Sequence, residues 1–298
     1  MAQTVLEARH LVKRYGRTTA LDDFSADFEA GRIYGLLGRN GAGKTTLLNI
    51  MTARAHASDG TVSAFGEPVW ENARVLPRIC YMAEKNLFSR HMKVKRLLAA
   101  GAGFFENFDR PFAQELCRRF ELDTGKSYQA LSRGYESILR IVIGLASRAP
   151  ITIFDEPVLG LDAAVREEFY RVMVDDFARH PRTYILSTHM VEESADLFDE
   201  AVIIRDGRLI EQTPTETMRE NSHYVTGRPE DVERAVSGLH VVHRDTVAGV
   251  RIAAIYGALD EGQTQAIAAA GLQLSPVPIQ KMFIYLTEHA VSGGEPAR

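Results

Sequence analysis

The stretch Gly38-Arg39-Asn40-Gly41-Ala42-Gly43-Lys44-Thr45-Thr46 narrows the possible folds more than any other part of the chain. It follows an apolar run, Arg32 to Leu37, and precedes Leu47, Ile50 and Met51 at helical spacing, so it reads as strand, glycine-rich loop and helix. Glycines let the backbone curl until successive N–H groups aim at one point. The helix N-terminus adds about half a positive charge there, and Lys44 adds a full one. Such a cradle suits the phosphates of a nucleotide, with the Thr45 hydroxyl offered to a magnesium ion. A glycine turn that merely precedes a helix would not need Lys-Thr in register.

Length and composition allow a large domain with a smaller one beside it: 298 residues, 45% of them hydrophobic. Lysine and arginine number 35 against 39 acidic residues, a net charge of −4, so no global positive field points to DNA, RNA or acidic lipid. Cys80 and Cys117 are too few for a disulfide framework and lack metal-ligand spacing, which leaves buried, reduced thiols and fits the cytosol. The opening MAQTVLEARH has no basic segment followed by an apolar run, so no secretory signal is expected. Ile138 to Phe154 is apolar but broken by Arg140, Arg148 and Pro150, short of the roughly 18 uncharged residues of a spanning helix.

Two further short apolar runs end in polar groups. Ile151 to Phe154 is followed by Asp155-Glu156, and Tyr184 to Leu186 by Ser187, Thr188 and His189. Polar groups at strand C-terminal ends face the ligand crevice of an open parallel sheet. Nucleotide hydrolysis needs a second magnesium anchor and a group that handles water; Asp155 suits the first task and Glu156 the second. An acid pair capping a helix near Pro157 is the plainer alternative. Between these runs, about residues 85–150 carry helical patterns such as Val94, Leu97 and Leu98, then Ile138, Ile141, Val142 and Leu145, and read as a helical insertion. Farther on, Ala201 to Ile204 and Leu209 to Glu211 flank Asp206-Gly207, a hairpin signal. From about Ser222, after which comes Gly-Arg-Pro at 227–229, the pattern becomes a small α+β unit. It has a helix (Glu230 to Val236), two strands (His240 to His243 and Val250 to Ile255) and a second helix (Asp260 to Ala270). Ser292 to Arg298 read as a frayed tail.

Leu131-Ser132-Arg133-Gly134-Tyr135, opening a helix ahead of Asp155, resembles the signature motif Leu-Ser-Gly-Gly-Gln of ATP-binding cassette proteins. The resemblance runs in order over roughly residues 1 to 220, through Tyr15 at the adenine-stacking position, the phosphate loop, Glu84, the signature, Asp155-Glu156, Leu161-Asp162 and His189. It implies a RecA-like P-loop NTPase core of α/β class with an antiparallel β subdomain and a helical insertion, over residues 1–221. A small α+β accessory domain, 222–291, and a flexible tail, 292–298, would follow. An aromatic face under adenine is worth about 1 to 3 kcal/mol by analogy with base stacking, although a tyrosine after a strand is also an ordinary structural residue. Ser132 and Gly134 at a helix N-terminus form an anion site, which the family presents to the γ-phosphate held by the opposite subunit. His189 resembles the switch histidine at that phosphate.

The resemblance further implies ATP and Mg2+ as ligands and a head-to-tail dimer with a second nucleotide-binding subunit, the same or different. A separate transmembrane permease would hold the chain at the cytoplasmic face of the membrane, with Asn86 to Leu98 as docking surface, and export is the expected direction. No nucleic acid partner is expected. Rivals are a soluble cassette ATPase acting on nucleic acid or the ribosome and a noncatalytic subunit of a heterodimer; the presence of Glu156 and His189 weighs against the latter. Three departures stand out. Glu84 occupies the place of a glutamine that touches magnesium, and repulsion of about 4 kcal/mol for charges about 4 Å apart leaves it either a metal ligand or withdrawn. Arg133 replaces a glycine and reaches either the partner's nucleotide or solvent. Tyr135 replaces a glutamine, and no serine precedes Leu161-Asp162.

Overall fold

The computed structural model describes residues 3–84 and 88–287, so the frayed tail and the start of the Asn86 to Leu98 stretch lie outside the described residues. The chain divides into two compact units, the first ending at Gln212 and the second beginning at Thr213. That division precedes the Ser222 break read from the sequence, because the intervening helix, Thr215–Glu220, packs with the second unit.

In the first unit, β1 (Thr4–Tyr15) and β2 (Thr18–Glu29) form a long hairpin, and β3 (Ile33–Leu37) leads through the phosphate loop into α1 (Lys44–Met51). Two short strands, β4 (Asp59–Ala64) and β5 (Glu67–Pro68), complete an antiparallel sheet in the order β2-β1-β4-β5. Phe24, Ala26 and Phe28 alternate inward along β2, the pattern of a sheet with one covered face.

A strand that sequence periodicity did not single out, β6 (Ile79–Met82), precedes the helical section α2 (Val94–Phe104), α3 (Arg110–Arg119) and α4 (Arg133–Ala146). Next come β7 (Ile151–Asp155), α5 (Ala163–Arg179), β8 (Thr183–Thr188), α6 (Val191–Ser194), and the Asp206-Gly207 hairpin of β9 (Glu200–Arg205) and β10 (Arg208–Pro214). These strands build a second sheet in the order β10-β9-β3-β8-β7-β6. Every residue of β3, β7 and β8 is buried, the unbroken apolar reading of parallel strands covered on both faces.

The second unit holds α7 (Thr215–Glu220), β11 (Ser222–Gly227), α8 (Pro229–Ala235), β12 (Val241–Val247), β13 (Val250–Tyr256), α9 (Glu261–Ala269), β14 (Gln273–Pro276) and α10 (Ile279–Thr287). Its antiparallel sheet, β12-β13-β11-β14, has two strands more than the sequence reading. β11 does not alternate apolar and polar residues, and β14 is only four residues long, too short for its alternation to stand out. Val225, Val232, Ala253, Ile255 and Ile267 form its core, and Asp260 with Gln263 caps α9 reciprocally. Phe283 and Leu286 of α10 are buried, and Tyr285 is half-buried, stacked on His243 with ring centroids 4.1 Å apart.

Cys80 and Cys117 are free and buried, and burial pushes the Cys80 thiol up to about 12. Among the described residues no helix is long and apolar enough to cross a membrane. One buried carboxylate ties the start of α3 and the segment after α4 to the parallel sheet. Asp176 on α5 accepts from Arg148, from Arg182 at 2.8 Å and from the Tyr184 hydroxyl at 3.2 Å, while Arg148 also holds Asp109, the N-cap of α3, at 2.9 Å. Asp176→Ala strands two guanidinium groups without their shared partner and is expected to cost about 3–5 kcal/mol. Urea unfolding checks this, and an unmoved midpoint would show that the pairing contributes nothing net.

Candidate nucleotide-binding and hydrolysis site

Parallel register decides where the site forms. Leu37 at the end of β3 pairs with Thr188 of β8, and Ser187 pairs with Asp155 of β7, so three strands finish along one edge. The loop Gly38 to Gly43 leaves that edge and closes into α1. Gly43 has φ +108°, and a Cβ there would lie 2.6 Å from the Ala20 carbonyl oxygen, so backbone conformation and close approach both demand glycine. Arg39, Asn40, Gly41 and Thr45 are exposed, Thr46 is partly exposed, and Gly38, Ala42 and Lys44 are buried.

The Lys44 ammonium donates to the carbonyls of Gly38 at 2.6 Å and Arg39 at 3.4 Å, folded onto the loop that it would share with phosphate. Burial pulls its pKa below the ordinary lysine value, and the nearby carboxylates of Glu156 and Asp155 act in the opposite direction. The Thr45 hydroxyl donates to Asp155 Oδ2 at 3.1 Å. The same oxygen receives the Tyr81 hydroxyl at 3.3 Å; burial pushes that phenol's pKa upward and keeps it a donor. Asp155 Oδ1 and Ser187 Oγ are buried with no hydrogen-bond partner among the described residues. A buried, unsatisfied carboxylate oxygen beside a threonine hydroxyl fits a hydrated cation. The described residues contain no cluster of three or more His, Cys, Asp or Glu that could hold a metal ion, so a cation here would draw most of its ligands from nucleotide and water.

Glu156 follows with φ +49°, left-handed for a non-glycine residue, while its N–H donates to Ser187 O at 2.9 Å. His189, just beyond β8, donates from Nδ1 to Glu156 Oε2 at 2.9 Å. Glu156 is mostly enclosed, its side chain 12% exposed, and His189 is open to solvent at 46%. Lys44, Thr45, Asp155, Glu156 and His189 thus gather at one strand edge.

Tyr15 ends β1 half-exposed and pairs with Thr18, close in sequence to Ala20 beneath Gly43; Lys13 Nζ lies 4.9 Å from its ring centroid. The remaining candidate residues occupy other ground. Ser132 caps α4, accepting from Tyr135 N at 3.4 Å. Gly134 packs on the loop after β7, where an added Cβ would stand 2.8 Å from Gly160 O. Tyr135 is partly exposed, and Asp162 caps α5 by accepting from Val165 N at 3.0 Å. Glu84 is exposed and shares with Arg133, Glu136 and Arg140 a cleft of about 530 Å³. The structure does not bring its carboxylate into hydrogen bonding with Thr45 or Asp155. Sequence reasoning missed Tyr81, Ser137 and Arg140. The available signal was polarity on the buried face of α4, where Ser137 and Arg140 interrupt an otherwise apolar run.

Comparison with known proteins bears on residues 21–159, which match the family model described as ABC transporter. The chain is 31% identical over 216 residues to the ABC transporter ATP-binding protein YtrB of Bacillus subtilis, covering 72% of this chain and 74% of that protein. It is 32% identical over 226 residues to the Nod factor export ATP-binding protein I of Burkholderia orbicola, covering 70% and 71%. Among solved structures, a dimeric ATP-binding cassette in a post-hydrolysis state, bound to ADP and Pi, superposes with a TM-score of 0.62 at 18% identity over 70% of this chain and 98% of that one. At that identity the likeness speaks for the P-loop NTPase fold.

Gly134→Ala sets about 1 kcal/mol of gained helix propensity against overpacking onto a main-chain carbonyl, about 1–3 kcal/mol. We expect a net loss in urea stability together with displacement of the 156–162 loop. An alanine variant more stable than wild type would contradict the contact.

Proposed function

Since the chain belongs to the ABC transporter family, as one of its transport-coupled ATP-hydrolysing subunits, we propose that its ATP site is the strand edge carrying Lys44, Thr45, Asp155, Glu156 and His189. The observation that carries this reading is the pair of contacts at that edge, Thr45 to Asp155 at 3.1 Å and His189 to Glu156 at 2.9 Å. Phosphates enter the loop from Gly38 to Thr46, and Lys44 turns from the loop carbonyls to the β- and γ-phosphate oxygens. Tyr15 offers its ring to adenine. Thr45 and Asp155 hold magnesium, which when bound neutralises charge on the phosphate oxygens. Glu84, exposed on the separate cleft, stays withdrawn from it.

Glu156 takes the proton of the attacking water, from a side chain that is mostly enclosed. His189 fixes the orientation of that carboxylate through Nδ1 and presents its other ring nitrogen toward the γ-phosphate. Arg133 lines the cleft beside Glu84, and among the described residues no hydrogen bond joins Ser132, Arg133, Gly134 or Tyr135 to Lys44, Thr45, Asp155, Glu156 or His189. That separation supports a composite site in which a second subunit's signature segment and Asp162 loop close over the nucleotide. The dimeric state of the ADP-bound cassette fits the same arrangement. A homodimer and a heterodimer both satisfy it.

A separate transmembrane permease receives the motion and holds the chain at the membrane's cytoplasmic face. Exposed Arg90, His91, Lys93, Lys95 and Arg96 supply a basic surface on the helical section for such a partner. The Nod factor export relative supports export as the direction.

Phosphate release tests the chemistry. Glu156→Gln is expected to slow turnover by about 10² to 10⁴ while nucleotide binding persists, and wild-type hydrolysis by that variant would remove Glu156 from its role. Lys44→Ala should lose measurable ATP binding in a calorimetric titration; unchanged affinity would defeat the phosphate-loop assignment.

A further inference from the structure

Along the buried stretch of α4, Ser137 to Ala146, the polar side chains are Ser137 and Arg140. Arg140 is 5% exposed, its hydrogen bonds among the described residues go to no carboxylate, and its Nε has no partner there. Its Nη1 donates to the main-chain carbonyls of Ala83 and Glu84, both at 2.9 Å, and its Nη2 donates to Ser137 Oγ at 2.6 Å. Ser137 Oγ in turn donates to Leu159 O at 2.7 Å. Glu136 and Glu84 line the same cleft and act on the guanidinium from a distance, but its hydrogen bonds all go to neutral acceptors, a costly way to fill a helix face that an apolar side chain would fill more cheaply. What the planar fork adds is geometry: one rigid group reaches the loop after β6 and its own helix together.

The contacts continue to the phosphate edge. Thr45 and Tyr81 share Asp155 Oδ2, and Tyr81 lies on β6, which leads directly into Ala83 and Glu84. At the other end, Leu159 adjoins Gly160, on whose carbonyl Gly134 rests. Because Arg140 grips main-chain oxygens, it holds the loop whatever side chain stands at position 84.

We propose that Arg140 is a positioning residue that locks the Ala83–Glu84 loop, the head of α4 and the loop after β7 into one unit, so that filling the phosphate cradle repositions the segment offered to a second subunit. This rests on the ATP-site reading above. Arg140 touches neither substrate nor reacting atoms; it acts through Ser137 and the two loops.

The test compares wild type with Arg140→Gln, Arg140→Lys and Ser137→Ala, each as the full chain. ATP affinity is read by titration, kcat by phosphate release, and amide hydrogen exchange with and without Mg-ATP over residues 38–46, 79–84 and 156–162. Arg140→Gln should lose about 10²-fold in kcat, the scale of a misplaced catalytic constellation, with ATP affinity and protection of 38–46 unchanged. In wild type, ATP should protect 79–84 and 156–162 together; in Arg140→Gln the two responses should separate. Arg140→Lys should recover part of kcat, and Ser137→Ala should weaken only the response of 156–162, an outcome readable even if the Arg140 variants do not fold. Retained kcat with joint protection in Arg140→Gln overturns the inference, as does a fall in affinity and kcat in parallel with thermal midpoint. Absence of ATP-dependent protection of 38–46 in wild type overturns the ATP-site reading itself, and the inference with it.

Discussion

The hydrogen bond between Thr45 and Asp155 joins the first turn of α1 to the end of β7 across the edge of the parallel sheet. Its 3.1 Å length is possible because β8 lies between β3 and β7 and keeps both in register, Leu37 against Thr188 and Asp155 against Ser187. A slip of one residue in either ladder would turn Asp155 to the other face of the sheet. Every other group at the edge inherits its place from this alignment. Glu156 is the next residue on one strand, His189 the next on another, and Lys44 the neighbour of Thr45.

Local chemistry made much of this edge readable in advance. An apolar run ending in Asp155-Glu156, another ending in Ser187-Thr188-His189, and a third ending in glycines name their own C-terminal ends, because polar groups there have no other use in a sheet buried on both faces. The phosphate loop was legible for the same reason. Contacts closed over long sequence separations were not. Tyr81 meets Asp155, Ser137 meets Leu159 and Arg140 meets Ala83 only once three strands and a helix have packed, and no spacing rule announces such meetings. The strand β11 escaped because it does not alternate in polarity, β14 because it is only four residues long, and the division at Gln212 because the short helix α7 beyond it packs with the second unit.

The motif departures sort themselves by location. Glu84 and Arg133, unusual in charge, border one cleft. The members of the same segments that keep to the family pattern do structural duty as well: Ser132 and Asp162 each cap a helix, and Gly134 sets the distance between α4 and the loop after β7. A group that caps a helix is already oriented, with its side chain fixed before any partner arrives.

Glu156 carries a further consequence through its backbone. At φ +49° it occupies a conformation that glycine or asparagine would adopt with less strain, so the fold and the proposed role as base ask for different residues at one position. Random substitution here meets opposing pressures, since variants that relax the main chain surrender the carboxylate. On the proposed role of Glu156, engineering this protein for heat resistance by selecting folded survivors alone would drift toward inert molecules, and choices drawn from backbone preference would do the same. Position 156 has to be held fixed in any such library.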